Sequence, residues 1–384
     1  MSWQRTVFFL LFGSSLAVAA CTGDHGDAGK PGDEGADAIK VGAIIPLSRE
    51  YESLGATQRL AYTLAQRETR QQGRLALKVV FGDSQLRDLR AERMYRRLVS
   101  QDKVVAFVEV TGNALALMLE EEAARDKIPI VSGIDTHPRL TRGQGTYFFR
   151  VVPSDTVSSA ALSQWALDQG LQTAALVFDE SDWGAGLRDS ILGTYRTKGG
   201  RLPEDAVIGV KEDATDLAPA VAKLRAVSPQ ACFVALVGEQ AGRFVRQAVE
   251  RGFKGVFLGL DNLAQPPFLK AAGDAKTRVR LLLPAEGNSA ASRRFAATYR
   301  EKTGKDPDLV AIKAYESYMV VLSAIEAVQR AGKPVTGEEV AKALAGIQVQ
   351  GLTGTLAFDR YHDLRQADFD RLTYNANGDR VAVR

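Results

Sequence analysis

Histidine and cysteine are scarce in this chain, and the scarcity closes off much chemistry. Of 384 residues, three are histidine and two are cysteine. His25, His137 and His362 stand far apart, with no pair at metal-ligand spacing. A block of basic residues is also missing. The formal net charge is +3, with Lys and Arg scattered among Asp and Glu, so binding of nucleic acid through phosphate neutralisation is not indicated. There is no Gly-x-Ser-x-Gly elbow and no Gly-Lys-Ser/Thr phosphate loop. Gly184-Ala185-Gly186 is only a fragment of a dinucleotide fingerprint. No catalytic constellation emerges, and no cofactor is expected. After the N-terminal segment, no apolar run is long enough to cross a membrane.

What is present begins at the N-terminus. Residues 1–5 are a short polar start with one positive charge, and residues 6–20 (TVFFLLFGSSLAVAA) are apolar. This reads as a signal peptide over 1–20. Val18-Ala19-Ala20 before Cys21 resembles a bacterial lipobox, which implies cleavage before Cys21 and a lipid on its sulfur; the alternative is an ordinary leader cleaved after Ala20. Several acyl chains on one residue give stable membrane anchoring. Residues 21–38 follow as the lipidated Cys and a Gly/Asp/Ala-rich tether. With Cys21 lipidated, Cys232 remains alone in ACFVALV, a buried-strand pattern, leaving neither an intrachain disulfide nor a cysteine metal site.

The rest of the chain, at 45% hydrophobic and 25% charged residues, has the composition of a globular protein with room for two domains. Residues 104–136 set its pattern. An apolar β-branched run (104–110) meets a turn at Gly112-Asn113. A helix follows with Leu115, Met118, Leu119 and Ala123 on one face, then a second apolar run (128–131). This βαβ unit implies a parallel sheet with a right-handed crossover. Its strand ends, residues 111–113 and Asp135-Thr136, lie side by side at the carboxyl edge, where open α/β sheets bind ligands. Similar alternation precedes it from residue 39. It resumes from Pro153, with strands expected at 174–178, 206–209, 231–237, 256–259 and 279–283, a loop over 179–186, and terminal strands at 351–358 and 371–374.

Several stretches occur in order: VGAIIPLS, the strand–Gly–helix–IPIVS unit, FFRVVPSD, LVFDESDWGAGL, FLGLDN, Ala314-Tyr315-Glu316 and GLTGTLAFD. Together they resemble the type I periplasmic binding proteins of branched-chain amino-acid and amide uptake systems. The resemblance implies an α/β fold of two doubly wound parallel-sheet lobes joined by a three-crossing hinge. Lobe one would be 39–152 plus 284–358, and lobe two 153–283 plus 359–384. A ligand would lie between them.

It also implies site residues. Gly112 and Asn113 stand where the family carries hydroxyl residues for a ligand carboxylate; the helix start itself favours an anion, while Asn113 also reads as an N-cap. Thr136 matches a threonine that contacts the polar end of the ligand, and Asp135 is beside it. Trp183 stands where an aromatic covers the ligand. An ungapped match puts Gln240 at the place of the acid that pairs with a ligand ammonium, and a one-residue shift would put Glu239 there. Asp261 is a further candidate for a cationic group. Ser48 and Tyr51 are candidates for the opposite wall. The expected partners are a small-molecule ligand, an ABC permease and, through Cys21, the membrane, with the protein itself a monomer. A ligand-sensing module of the same fold is the alternative.

Overall fold

The structure, a computed structural model, describes residues 38–142 and 147–383. The expectations for the leader, Cys21, His25 and the tether fall outside the described residues. Strands β1 (Lys40–Ile45), β2 (Lys78–Asp83), β3 (Phe107–Val110), β4 (Ile130–Ser132) and β5 (Phe148–Arg150) form one parallel sheet in the order β2-β1-β3-β4-β5. Strands with helices on both sides are buried on both faces and read as continuous apolar runs. Successive side chains alternate between those faces. Val41, Ala43, Val108, Val131 and Phe149 enter one core, and Ile44, Phe107, Ile130 and Phe148 enter the other.

Helices α2 (Asp88–Ser100) and α3 (Asn113–Asp126) cover the second face. The first face is covered by α1 (Glu52–Gln71) together with α9 (Ala290–Thr303), α10 (Leu309–Arg330) and α11 (Gly337–Gly346), which return from the far end of the chain. From Ala311 to Ile325, α10 is buried almost all round, the paired Lys313 and Glu316 included.

The second sheet runs β14-β13-β10-β9-β8-β6-β7. Here β6 (Ala174–Asp179), β7 (Val207–Val210), β8 (Ala231–Ala235), β9 (Val256–Gly259) and β10 (Val279–Pro284) are parallel, while β13 (Phe369–Tyr374) and β14 (Arg380–Ala382) are antiparallel additions. Its core takes side chains from α4 (Asp155–Asp168), α5 (Asp182–Thr197), α6 (Ala218–Val227), α7 (Gly238–Glu250) and α8 (Pro266–Ala272). The chain passes between the lobes after β5, after β10 and before β13. Hydrogen bonds join the crossings: Arg150 Nε to Asp363 Oδ1, and the N–H of Ala285 to the carbonyl of Asp368. The imidazole of His362 stacks on Phe149, centroids 3.9 Å apart.

Two local expectations change. The 179–186 loop is short, because Ser181 caps α5 by accepting from the N–H of Gly184; Trp183 and Gly186 are therefore helical. Helix α1 begins at Glu52, directly after Tyr51, and already contains Gly55. The apolar stretch 351–358 is not one strand. The N–H of Gly351 bonds the carbonyl of Gly354 and reverses the chain, giving a hairpin of β11 (Gln348–Gln350) and β12 (Thr355–Ala357).

Candidate functional site

Both sheets change winding direction one strand in from an edge. In lobe one β2 and β3 lie on opposite sides of β1, and in lobe two β7 and β8 lie on opposite sides of β6. Crevices form beyond the carboxyl ends of strands at such switch points. The strand ends there carry Ser48 and Tyr51, residues 111–113, Asp135-Thr136, Asp179, Glu212 and Asp261.

On the lobe-one side the order is built by buried polar groups. Gly112 has φ +114, a conformation that L side chains rarely adopt. It is the N-cap of α3 and offers no side-chain cap. Asn113, expected as a cap, is instead the first helical residue, and its Oδ1 accepts from the N–H of His137 at 3.1 Å. With no side-chain cap and no acid in its first turn, the start of α3 at the carboxyl edge of the sheet is a setting that favours an anion. Asp135 is fully engaged. Its carboxylate accepts from the N–H of Gly112 at 2.9 Å and from the Ser132 hydroxyl at 3.1 Å, and it is 2% exposed. Burial pushes Asp135 up to about 7 against these bonds. Beneath it, burial first and then the Asp135 charge hold Glu109 well above its ordinary value, while Glu109 accepts from the N–H of Gly133.

Arg150 and Asp155, both within the sequence FFRVVPSD, were not singled out from the sequence. Arg150 is fully buried; it donates to the backbone carbonyls of Asp135 and His137 and so fixes the loop carrying Thr136. Asp155 opens α4 immediately after the first crossing. Its N–H bonds the carbonyl of Thr136 at 2.9 Å. Among the described residues Asp155 Oδ2 is buried without a partner. Burial pushes Asp155 up to about 7, and the negative charge of Asp261 adds to the rise. Asp261, after the end of β9 in lobe two, is thus within electrostatic reach of Asp155. Asp261 retains contact with solvent, yet protein atoms crowd its carboxyl and raise it. Its neighbour Asn262 secures the strand ends by donating to the carbonyls of Val234 and Leu236.

The other nominated residues have different surroundings. Gln240 is 7% exposed, and its amide donates to the carbonyls of Lys211, Glu212 and Ala214. It is thereby bound to the loop it holds, not to the crevice. Glu239 is exposed at the start of α7, 3.9 Å from Arg243. Glu212, on the loop held by Gln240, was also missed. Burial first, then Glu50 and then Glu212, raises the hydroxyl of Tyr51. The Ser48 hydroxyl donates to Asp83 at 2.8 Å and accepts from Gln85 at 2.7 Å, which binds it into lobe one. Trp183 is half-buried against the lobe-two core.

Beside this crevice the lobes touch. The imidazole of His137 packs on α5, where a Cβ at Gly186 would lie 2.9 Å away. A groove of about 610 Å³ runs between the His137–Arg142 segment and α5.

A family model described as periplasmic binding protein matches residues 38–376. The chain belongs to that family. It is 22% identical over 357 residues to the leucine-, isoleucine-, valine-, threonine-, and alanine-binding protein of Pseudomonas aeruginosa, covering 91% of this chain and 93% of the relative. Two solved structures share the fold. One is the branched-chain amino acid transporter substrate-binding protein of Streptococcus pneumoniae in complex with isoleucine (TM-score 0.75, 24% identity, 90% of this chain and 98% of that one). The other is an ABC-transporter solute-binding protein of Rhodopseudomonas palustris in complex with 3,4-dihydroxybenzoic acid (TM-score 0.75, 22% identity, 90% and 96%). As a periplasmic binding protein, this chain is of an extracytoplasmic, ligand-binding class. Among its described residues no helix is long and apolar enough to cross a membrane.

Proposed function

We propose that this protein is a lipid-anchored solute-binding protein that captures a free amino acid between its lobes and delivers it to an ABC permease. The observation that carries the reading is the opposition of charge across the crevice. The uncapped start of α3, with Gly112 and Asn113, favours the ligand carboxylate, and the Asp155–Asp261 pair favours its ammonium. A ligand ammonium between the two carboxyls relieves their repulsion and gives the unpartnered Asp155 Oδ2 a donor. The name of the Pseudomonas relative is consistent with an amino-acid ligand; the Rhodopseudomonas neighbour, held with an aromatic acid, marks the competing chemistry.

Thr136 and the Asn113 amide supply the remaining polar contacts, Tyr51 and Trp183 the cover. Lobe one (39–152 with 284–358) and lobe two (153–283 with 359–384) would move as bodies about the crossings, with ligand favouring the closed form by its differential affinity. Cys21 would carry the lipid. The test is mass spectrometry of what copurifies, with a thermal-shift screen of amino acids, amides and aromatic acids. Stabilisation by one or more amino acids supports the reading; stabilisation by ligands lacking an ammonium alone would overturn it.

A further inference from the structure

The three crossings enclose a cavity of about 280 Å³, and none of the crevice residues lines it. Pro153 of the first crossing, Ala285 of the second and Ala367 of the third contribute to its wall. Its lining includes Lys313 of α10, which is 2% exposed. A buried ammonium must be paired, and Lys313 donates to Glu316 Oε2 at 2.7 Å and to Thr353 Oγ1 at 2.9 Å. Glu316 is saturated further by the N–H and hydroxyl of Thr353. An ammonium has three donors, so one is left for an occupant. Stability alone does not account for such a pair, since apolar residues of similar volume serve a core as well or better. Nearer solvent, the exposed Asp368 adds a carboxylate to the lining.

We propose that this cavity is a second binding site, which takes a small zwitterion of amino-acid size, its carboxylate accepting from Lys313 and its ammonium facing Asp368. The volume equals that of about nine water molecules at ~30 Å³ each, enough for such a molecule. The walls belong to separate crossings, so rotation of the lobes reshapes the cavity. An occupant therefore has different affinities for the open and closed forms and biases the equilibrium between them. By linkage, any ligand in the crevice changes the occupant's affinity by the same factor.

The experiment follows backbone amide resonances of the full chain during titration with glycine, alanine and leucine. Ala285, Thr353 and Ala367 report the hinge, and Asn113, Thr136 and Trp183 report the crevice. The expected result is a saturable hinge shift by about 10 mM probe. It should include a component whose midpoint differs from that of the crevice resonances, and that component should vanish both in Ala367→Trp, which fills the cavity, and in the paired variant Lys313→Met/Glu316→Gln, where only the shift that follows lobe closure remains. The proposal is overturned if no probe shifts the hinge, if hinge and crevice resonances follow a single midpoint, or if the separate component survives the cavity variants. A responsive hinge beside a silent crevice would instead overturn the proposed function and leave the second site standing.

Discussion

In the proposed reading, Asp155 and Asp261 carry the chemistry at the scale of single residues. Neutralising one acid removes a charged partner from a ligand ammonium, worth ~1.5–3 kcal/mol. Asp261→Asn is therefore expected to weaken amino-acid binding about 10- to 100-fold in calorimetric titration, with the melting temperature of the free protein not lowered. Asp155 also makes the protein sensitive to pH. Its carboxyl is raised from 3.8 to about 7 in the fold. Between those values the folded chain holds a proton that the unfolded chain has lost, so this group's contribution to stability falls as pH rises and levels off above about 7. In Asp155→Asn the drop in melting temperature from pH 5 to pH 7 should be shallower than in wild type. Ligand ammonium favours the ionised carboxyl, so binding should release a proton below about pH 7. Titration in buffers of different ionisation heat measures that release.

Elements decide which side chains reach the crevice. Gln240 shows why sequence register misleads: counting residues placed it at an acid's position, but α7 begins at Gly238 and turns the amide onto residues 211–214. Gln240→Leu should leave three loop carbonyls short of a donor, at ~1–3 kcal/mol. A lower melting temperature with binding weakened less than by Asp261→Asn would match a loop-holding role. Helix α5 meets His137 through Gly186, and Gly186→Leu should press the lobes apart and weaken ligand affinity about tenfold by titration while leaving the circular dichroism spectrum unchanged. Much of the fold was legible because buried parallel strands declare themselves as apolar runs: residues 256–259 were bounded from sequence alone. Thr136 and Asp261 were legible as residues at strand ends. Asp155, Arg150 and Glu212 were not, because their roles depend on partners brought together by the crossing and by the 211–214 loop. Asn113 was legible as polar and near a helix start, but the shift of the cap to Gly112 depends on a backbone angle that composition does not reveal.

The whole molecule is two α/β bodies held by three chain passages, tied to each other through Arg150–Asp363 and Ala285–Asp368. If the lobes rotate about the passages as proposed, a ligand that bridges them should compact the protein. Small-angle scattering with and without a saturating amino acid should show a smaller radius of gyration in the bound state. The most direct measurement compares two molecules: the amino acid giving the largest thermal shift, and the same molecule without its α-ammonium. Titrated into the full chain at pH 8, the amino acid should bind about 10- to 100-fold more tightly. Equal or tighter binding of the ammonium-free acid would contradict the charge-opposed crevice.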